Sequence, residues 1–264
     1  MSEAPPIPAY VPGHGLLKGK SVLITAAAGV GIGFATAKRA LEEGCRALMI
    51  SDIHERRLDE AVEKLAAVAP DTPISRLMCN VSDEAQVQAL VDAAEAELGG
   101  VDVLVNNAGL GGLKPVVEMT DAEWSLVLDV TLTGTFRMTR AMLKKMIPRR
   151  AGAIINNASV LGWRAQKGQA HYAAAKAGVM ALTRCSAVEA AEHGVRINAV
   201  SPSIAMHEFL KRSAPQEFLD SLSRQEAFGR PAEVWEIANV IMFLASDYAG
   251  YMVGEVVSVS SQRA

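Results

Sequence analysis

The sequence predicts an α/β fold: a single doubly wound domain of about seven parallel strands with helices on both faces. Three observations carry this. Short apolar, β-branched runs alternate with longer segments of helical period along the whole chain. The connections between them are short, which in this order calls for parallel strands joined by helical crossovers. Glycine-rich or polar clusters follow several of the apolar runs, where open α/β sheets bind their ligands. Half of the 264 residues are hydrophobic and 21% are charged, the usual balance of a globular chain. No internal repeat, low-complexity tract or linker divides it.

Residues 1–17 hold four prolines and two glycines and form no regular element; they are expected as a surface tail, partly disordered, ahead of a domain spanning 18–264. Ser21 to Ala26 is the first strand. Ala26-Ala-Ala-Gly29-Val-Gly31-Ile32-Gly33 follows, then a helix from Phe34 to Glu43. Glycines let a backbone approach a pyrophosphate and a helix N-terminus favours its charge, although a tight turn alone explains the same residues. Ala47 to Ser51 is the second strand and ends at Asp52, where a carboxylate can bind the adenosine ribose hydroxyls and repel a 2′-phosphate. That reads as NAD over NADP. Arg56 and Arg57 would argue otherwise unless they belong to a solvated helix face.

Glu55 to Ala67 is an amphipathic helix, and Ile74 to Cys79 a strand ending at Asn80-Val81. Ser82 or Asp83 caps the next helix, to Leu98. Val101 to Val105 is a buried strand leading into Asn106-Asn107-Ala108-Gly109. Asp121 caps a long helix through Met146 that stops before Pro148. Ala153 to Ala158 is a strand closed by Ser159, and an alanine-rich helix over 169–192 carries Tyr172 and Lys176. Val195 to Val200 is a strand before Ser201-Pro202-Ser203-Ile204-Ala205-Met206-His207. Phe209, Leu210, Phe218 and Leu222 give short helices with an apolar face in a 203–228 lid segment. Pro231 to Ser246 is the next helix, and Val256 to Val259 the last strand.

Tyr172 and Lys176, four apart, share one helix face. A phenol titrates near pH 10, too high for a base at neutral pH, and a neighbouring ammonium lowers it. A phenol so tuned can exchange a proton with a carbinol oxygen, and a serine hydroxyl can hold that oxygen as charge develops. Carbonyl reduction or alcohol oxidation needs such a relay beside a hydride carrier.

Ser159, Tyr172 and Lys176, with the glycine-rich turn and Asn-Asn-Ala-Gly, resemble the short-chain dehydrogenase/reductase family over residues 18–260. The resemblance implies a Rossmann-type fold, with Ser159, Tyr172 and Lys176 catalytic. It also implies a dinucleotide held by Gly31, Ile32, Gly33, Asp52, Asn80, Val81, Asn107, Tyr172, Lys176 and the Ala205 backbone. Asn80 stands where the family has an Asp near the adenine, and Ile53 where phosphate-binding relatives carry Arg. The chain departs from the pattern elsewhere. Ala26 replaces the first glycine of Thr-Gly-x-x-x-Gly-Ile-Gly, and the loop is one residue longer. Thr131 takes the place of a helix Asn that completes the family's catalytic set through a water. Ser203 replaces a Gly, His207 a Thr, and Ser260-Ser261-Gln262 the final Asp-Gly-Gly. His207 reads as an exposed helix-start residue or a cofactor contact, with the former favoured.

Within the family, Ala26-Ala-Ala-Gly, Asn156-Asn-Ala-Ser-Val-Leu-Gly-Trp-Arg-Ala-Gln and Ser201-Pro-Ser-Ile-Ala resemble a branch that acts in steroid ring breakdown. That likeness implies oxidation of the ring hydroxyl of a methyl-hydrindanone carboxyl-CoA thioester. Rival readings are an NADP-dependent 3-oxoacyl-thioester reductase and a cofactor-binding regulator without turnover. Trp163, Met206, Phe209 and Leu210 would wall an apolar pocket, with Arg164, Lys211 and Arg212 near the CoA phosphates. A homodimer or homotetramer is expected from the helices at 121–146 and 169–192, closed by Met138, Met142, Val179, Met180 and Leu182 unless these are core.

The net charge of −3 argues against a nucleic-acid partner. Cys45, Cys79 and Cys185 show neither paired nor metal-ligand spacing, as expected of buried thiols in a reducing compartment. No signal peptide or membrane span is read, so a cytoplasmic location is expected.

Overall fold

The computed structural model describes residues 6–207, 210 and 216–261. Its main sheet has seven parallel strands: β1 (Ser21–Thr25), β2 (Ala47–Asp52), β3 (Ile74–Met78), β4 (Val103–Asn106), β5 (Gly152–Asn157), β6 (Val195–Pro202) and β9 (Val256–Val259), in the order β3-β2-β1-β4-β5-β6-β9. The chain leaves β1 to one side for β2 and β3, and returns to the other side for β4. Neighbouring strand ends at that reversal open the crevice in which such sheets bind ligands.

Alternate residues of each strand enter different cores, which is why the strands read as unbroken apolar runs. Val22, Ile24, Leu48, Ile50, Val103 and Val105 face α1 (Ile32–Glu42), α2 (Glu55–Ala66) and α8 (Val234–Ala245). Leu23, Met49, Leu104, Ile154 and Ile197 face α3 (Glu84–Leu98) and α5 (Gly134–Arg149). Each such side chain, fully removed from water, contributes about 1.5–3 kcal/mol. Asp83, rather than Ser82, caps α3, accepting from the amides of Ala85 and Gln86.

The helix expected over 121–146 differs at both ends. Thr120 caps α4 (Asp121–Leu128), in a capping box with Glu123. A π-helical turn (Asp129–Thr133) then joins it to α5, which carries Pro148 inside its last turn. Pro148 leaves the Lys144 carbonyl without its helical donor, and the helix stops two residues later at Arg150, which takes a left-handed φ of 53°. Met138 and Met142 of α5, with Val179 and Met180 of α6 (Ala170–Ala191), are core residues, not interface residues. The exposed apolar side chains on these helices are Trp124, Leu126, Phe136 and Val188. Cys45 and Cys79 are buried, but Cys185 is exposed, against expectation.

Two short strands not expected from the sequence, β7 (Ala205–Met206) and β8 (Ala232–Glu233), pair in parallel beside the main sheet. Between them α7 (Gln216–Ser223) lies in the segment read as a lid; Phe209, Lys211, Arg212 and the Phe218 side chain fall outside the described residues. Residues 6–17 form no regular element, as expected, but they are held in place. The carbonyls of Val11 and Pro12 accept from Arg39, and the buried Glu43 carboxylate accepts from the amides of His14 (2.8 Å) and Leu16 (3.0 Å). The Tyr10 ring meets Trp235 of α8 edge-on, 5.3 Å between centroids. Among the described residues no helix is long and apolar enough to cross a membrane, and no cluster of His, Cys, Asp or Glu could hold a metal ion.

Candidate active site

The first strand delivers its last side chain into the crevice. Thr25 Oγ1 accepts from the amides of Asn107 (3.0 Å) and Ala108 (3.1 Å), fixing the Asn-Asn-Ala-Gly run to the start of the glycine-rich loop. Ala26, in the place of a glycine, takes a left-handed φ of 51°. Its carbonyl accepts from Asn107 Nδ2 at 3.0 Å. Gly33 lies so close to this pair that a Cβ there would sit 2.3 Å from the Ala26 oxygen and 2.5 Å from Asn107 Nδ2. Only glycine fits.

Gly31 is the N-cap of α1, with no side-chain cap and no acidic residue in the first turn. The first amides of α1 and its dipole are therefore left to an external anion. Asp52, at the end of β2, holds the loop from the other side: Oδ2 accepts from the Ala28 amide (3.2 Å) and Oδ1 from that of His54 (3.3 Å). Ile53 beside it is exposed, and Arg56 points to solvent, paired with Glu60. These features fit an adenine dinucleotide with its pyrophosphate at α1 and its ribose at Asp52. Asn80 lies exposed just past β3, while Val81 is buried against Gly134. Ala205 is buried in β7. His207 is not the exposed residue favoured from sequence. Its Nε2 lies 3.9 Å from where a Gly31 Cβ would be, its Nδ1 accepts from the Leu210 amide (3.3 Å), and burial holds its pKa down.

Ser159, just past β5, accepts from the Leu161 amide at 3.2 Å and also hydrogen-bonds Tyr172. One turn after Tyr172, Lys176 is buried and donates to the Asn157 carbonyl. Asn157 Nδ2 in turn donates to Asn107 Oδ1 at 2.9 Å. A continuous set of hydrogen bonds thus runs from the Ala26 carbonyl through Asn107 and Asn157 to the lysine. Sequence reading missed Asn157; the signal was there in Asn156-Asn157, which repeats Asn106-Asn107 on the neighbouring parallel strand in register. The other pair is structural: Asn106 Nδ2 donates to Asn156 Oδ1 (2.9 Å) and Asn156 Nδ2 to Thr183 (2.9 Å).

The electrostatics correct one expectation. The Tyr172 phenol is pushed above its ordinary value because burial disfavours the phenolate, and the Ser159 hydrogen bond only partly opposes this. Lys176 does not lower it. Its ammonium lies over the ring, 5.6 Å from the centroid, and burial pulls its own pKa down to about 8. The site as folded is desolvated.

Residues 26–261 match the family model described as enoyl-(acyl carrier protein) reductase. The chain is 61% identical, over 97% of both sequences, to the (5R,7aS)-5-hydroxy-7a-methyl-1-oxo-2,3,5,6,7,7a-hexahydro-1H-indene-carboxyl-CoA reductase of Mycobacterium tuberculosis. It is 37% identical to the 3-oxoacyl-(acyl-carrier-protein) reductase of Thermotoga maritima, over 92% of this chain and 97% of that one. A crystal structure of a short chain dehydrogenase from Mycobacterium smegmatis, 57% identical, superposes with a TM-score of 0.87 over 97% of this chain and 98% of that one.

Proposed function

The chain belongs to the short-chain dehydrogenase/reductase family of NAD(P)-dependent oxidoreductases, and from that premise we propose that it interconverts a secondary ring alcohol and its ketone with NAD, on a methyl-hydrindanone carboxyl-CoA thioester. The observation that carries the chemistry is the meeting of Ser159, Tyr172 and Lys176 at the carboxyl end of β5, beside the Gly31–Gly33 loop. When bound, the dinucleotide supplies the hydride acceptor and, in its oxidised form, a positive charge.

Tyr172 takes the carbinol proton in oxidation and returns it in reduction. Burial keeps the phenol protonated, as reduction requires; for oxidation it must first give up its own proton to solvent, a loss that the positive charge of a bound oxidised dinucleotide would favour. Ser159 holds the substrate oxygen. Lys176 would hold the nicotinamide ribose; its hydrogen bond to the Asn157 carbonyl and the Asn157–Asn107 bridge support that role by fixing it at the carboxyl end of β5. Asp52 favours NAD and oxidation.

The substrate class rests on the 61% identical relative, whose name specifies such a thioester. Exposed Trp163 and partly buried Met206 and Leu210 offer an apolar wall, and the loop after Gly112 exposes Leu113, Val116 and Val117. Arg164, the residue after Trp163, is our candidate for a CoA phosphate. The 37% identical reductase supports a second reading, NADP-dependent reduction of 3-oxoacyl thioesters; Asp52 weighs against it. A regulator without turnover has only the departure at Thr131 in its favour, and the presence of Ser159, Tyr172 and Lys176 counts against it. Trp124, Leu126, Phe136 and Val188 are the exposed large apolar side chains of α4, α5 and α6, and we place among them the contacts with a second copy, in a cytoplasmic homodimer or homotetramer.

Tyr172→Phe tests the chemistry. Turnover, followed by reduced-nicotinamide absorbance, should fall at least ~10²-fold while NAD binding persists. Turnover within a few-fold of the parent removes Tyr172 from the proton path. Comparing the hydroxy-hydrindanone CoA thioester with its free acid at several salt concentrations tests the substrate; equal rates refute the CoA contact.

A further inference from the structure

Two loops meet beside the catalytic residues and leave large apolar side chains in water. The first follows β4 and starts against the catalytic ring: a Cβ at Gly111 would lie 3.6 Å from Tyr172 Cδ2. It runs on through Leu113 and Lys114 into a single 3₁₀ turn, Val116–Glu118. The second follows β5 and runs from Trp163 to Gly168. They join at Gly168, whose carbonyl accepts from the Lys114 amide at 2.8 Å. Gly168 takes a left-handed φ of 77°, and a Cβ there would sit 2.8 Å from Leu113 Cδ1. Only glycine allows so close a junction.

Val117 is 93% exposed, Val116 69%, Leu113 60% and Trp163 52%. Single exposed apolar residues need no explanation, but four on two joined loops beside a catalytic residue mark a binding surface. The charges differ between the loops. Every charged residue from 163 to 168 is a cation, namely Arg164 and the exposed Lys167. The acids Glu118, Asp121 and Glu123 follow the first loop, and Glu123 is paired with Lys114 at 3.5 Å.

We infer, on the thioester reading above, that the joined loops are the docking surface for the coenzyme A portion of the substrate. The pantetheine arm lies over Leu113, Val116, Val117 and Trp163, and the phosphates meet Lys167 and Arg164. Two features favour this occupant over a second copy of the chain. The surface starts at Tyr172, so it is continuous with the place where the acyl ring is held. Its apolar part ends in a loop that carries only cations, which suits an arm with apolar links that ends in about four negative charges.

The test is calorimetric titration of free coenzyme A, and of pantetheine, into the full chain saturated with NAD. It needs neither ring alcohol nor turnover, and NAD fills the dinucleotide site so that binding there is not counted. Lys167→Glu should raise the coenzyme A dissociation constant about 3–10-fold at low salt, with the gap closing in ~0.5 M salt. Pantetheine, which carries none of these phosphates, should bind alike in parent and Lys167→Glu. Val117→Asn should weaken both ligands ~3-fold or more. Lys18→Glu makes the same charge change before β1, at the opposite end of the sheet, and should alter neither. Coenzyme A that binds no tighter than pantetheine, or alike in parent and Lys167→Glu, overturns the inference. So does a Val117→Asn chain that loses an oligomer by light scattering yet keeps the parental coenzyme A affinity; the surface then belongs to a second copy. Coenzyme A bound as expected, with no oxidation of the hydroxy-hydrindanone thioester, removes the substrate reading and leaves the surface. Oxidation of the free acid without coenzyme A binding removes the surface and leaves the dehydrogenase.

Discussion

Asp52 gives the sharpest test of cofactor choice, because its carboxylate has two separable tasks. It holds the Ala28 and His54 amides at 3.2 and 3.3 Å, and in the proposed binding mode its charge would meet an adenosine 2′-phosphate. Asp52→Asn keeps one oxygen for the amides and removes the charge. Asp52→Ala removes both. A phosphate of about two charges at ~5 Å from a carboxylate is repelled by roughly 6 kcal/mol at an effective dielectric of 20. Asp52 is partly exposed, so solvent and salt screen this to about 1.5–3 kcal/mol. Asp52→Asn should therefore shift the NAD-to-NADP affinity ratio toward NADP by about 10–100-fold, measured by fluorescence titration with the two reduced dinucleotides. Asp52→Ala should show the same shift together with a melting temperature lower by a few degrees, from one or two loop hydrogen bonds worth about 1 kcal/mol each. An unchanged ratio in Asp52→Asn would refute the placement of the ribose at Asp52.

Gly33→Ala should force Ala26 and Asn107 apart, lowering stability by about 1–3 kcal/mol and weakening NAD at least ~10-fold; denaturant melts and dinucleotide titration would show it, and normal binding would sink the close-approach argument. Lys176→Met gives a pH signature. The folded lysine titrates at about 8 and the unfolded one near 10.5, so between these values the unfolded chain holds more protons and stability rises with pH. Below about pH 8 both states are protonated and the slope vanishes. The stability of the parent relative to Lys176→Met should therefore climb by up to ~3 kcal/mol from pH 8 to 10.5, and a flat difference in denaturant titrations would contradict the desolvated lysine.

The number and parallel sense of the strands, and the strand, glycine turn and helix of residues 21–42, were legible because their causes are local. Strands buried on both faces must be apolar throughout, and Gly31 and Gly33 sit between a strand and a helix. The start of α4 was legible too, but Asp121 drew attention from the Thr120–Glu123 capping box one residue earlier. Met138, Met142, Val179 and Met180 could not be assigned by periodicity, which marks an apolar face without saying what covers it. The spacing of Tyr172 and Lys176 put them on one helix face, yet the sign of the Tyr172 shift depends on desolvation and on the ammonium lying over the ring. Neither is written in a four-residue interval. The position of Thr131 was visible as a departure, but its partner, the Leu110 backbone, carries no side-chain signal at all.

The 6–17 segment has a consequence for how the molecule is assembled. It is made before the elements it grips: Tyr10 waits for α1, then for Trp235 of α8, and the nearby Lys20–Asp247 ion pair closes across 227 residues of sequence. Contacts of such separation form late, since the intervening chain must be ordered first. Residues 10 and 235 therefore meet beside the carboxyl-terminal half of α1, away from its Gly31 end. Docking of Tyr10 against Trp235 marks the point at which the last helix has arrived, and an indole signal from Trp235 would report completion of the fold rather than its beginning.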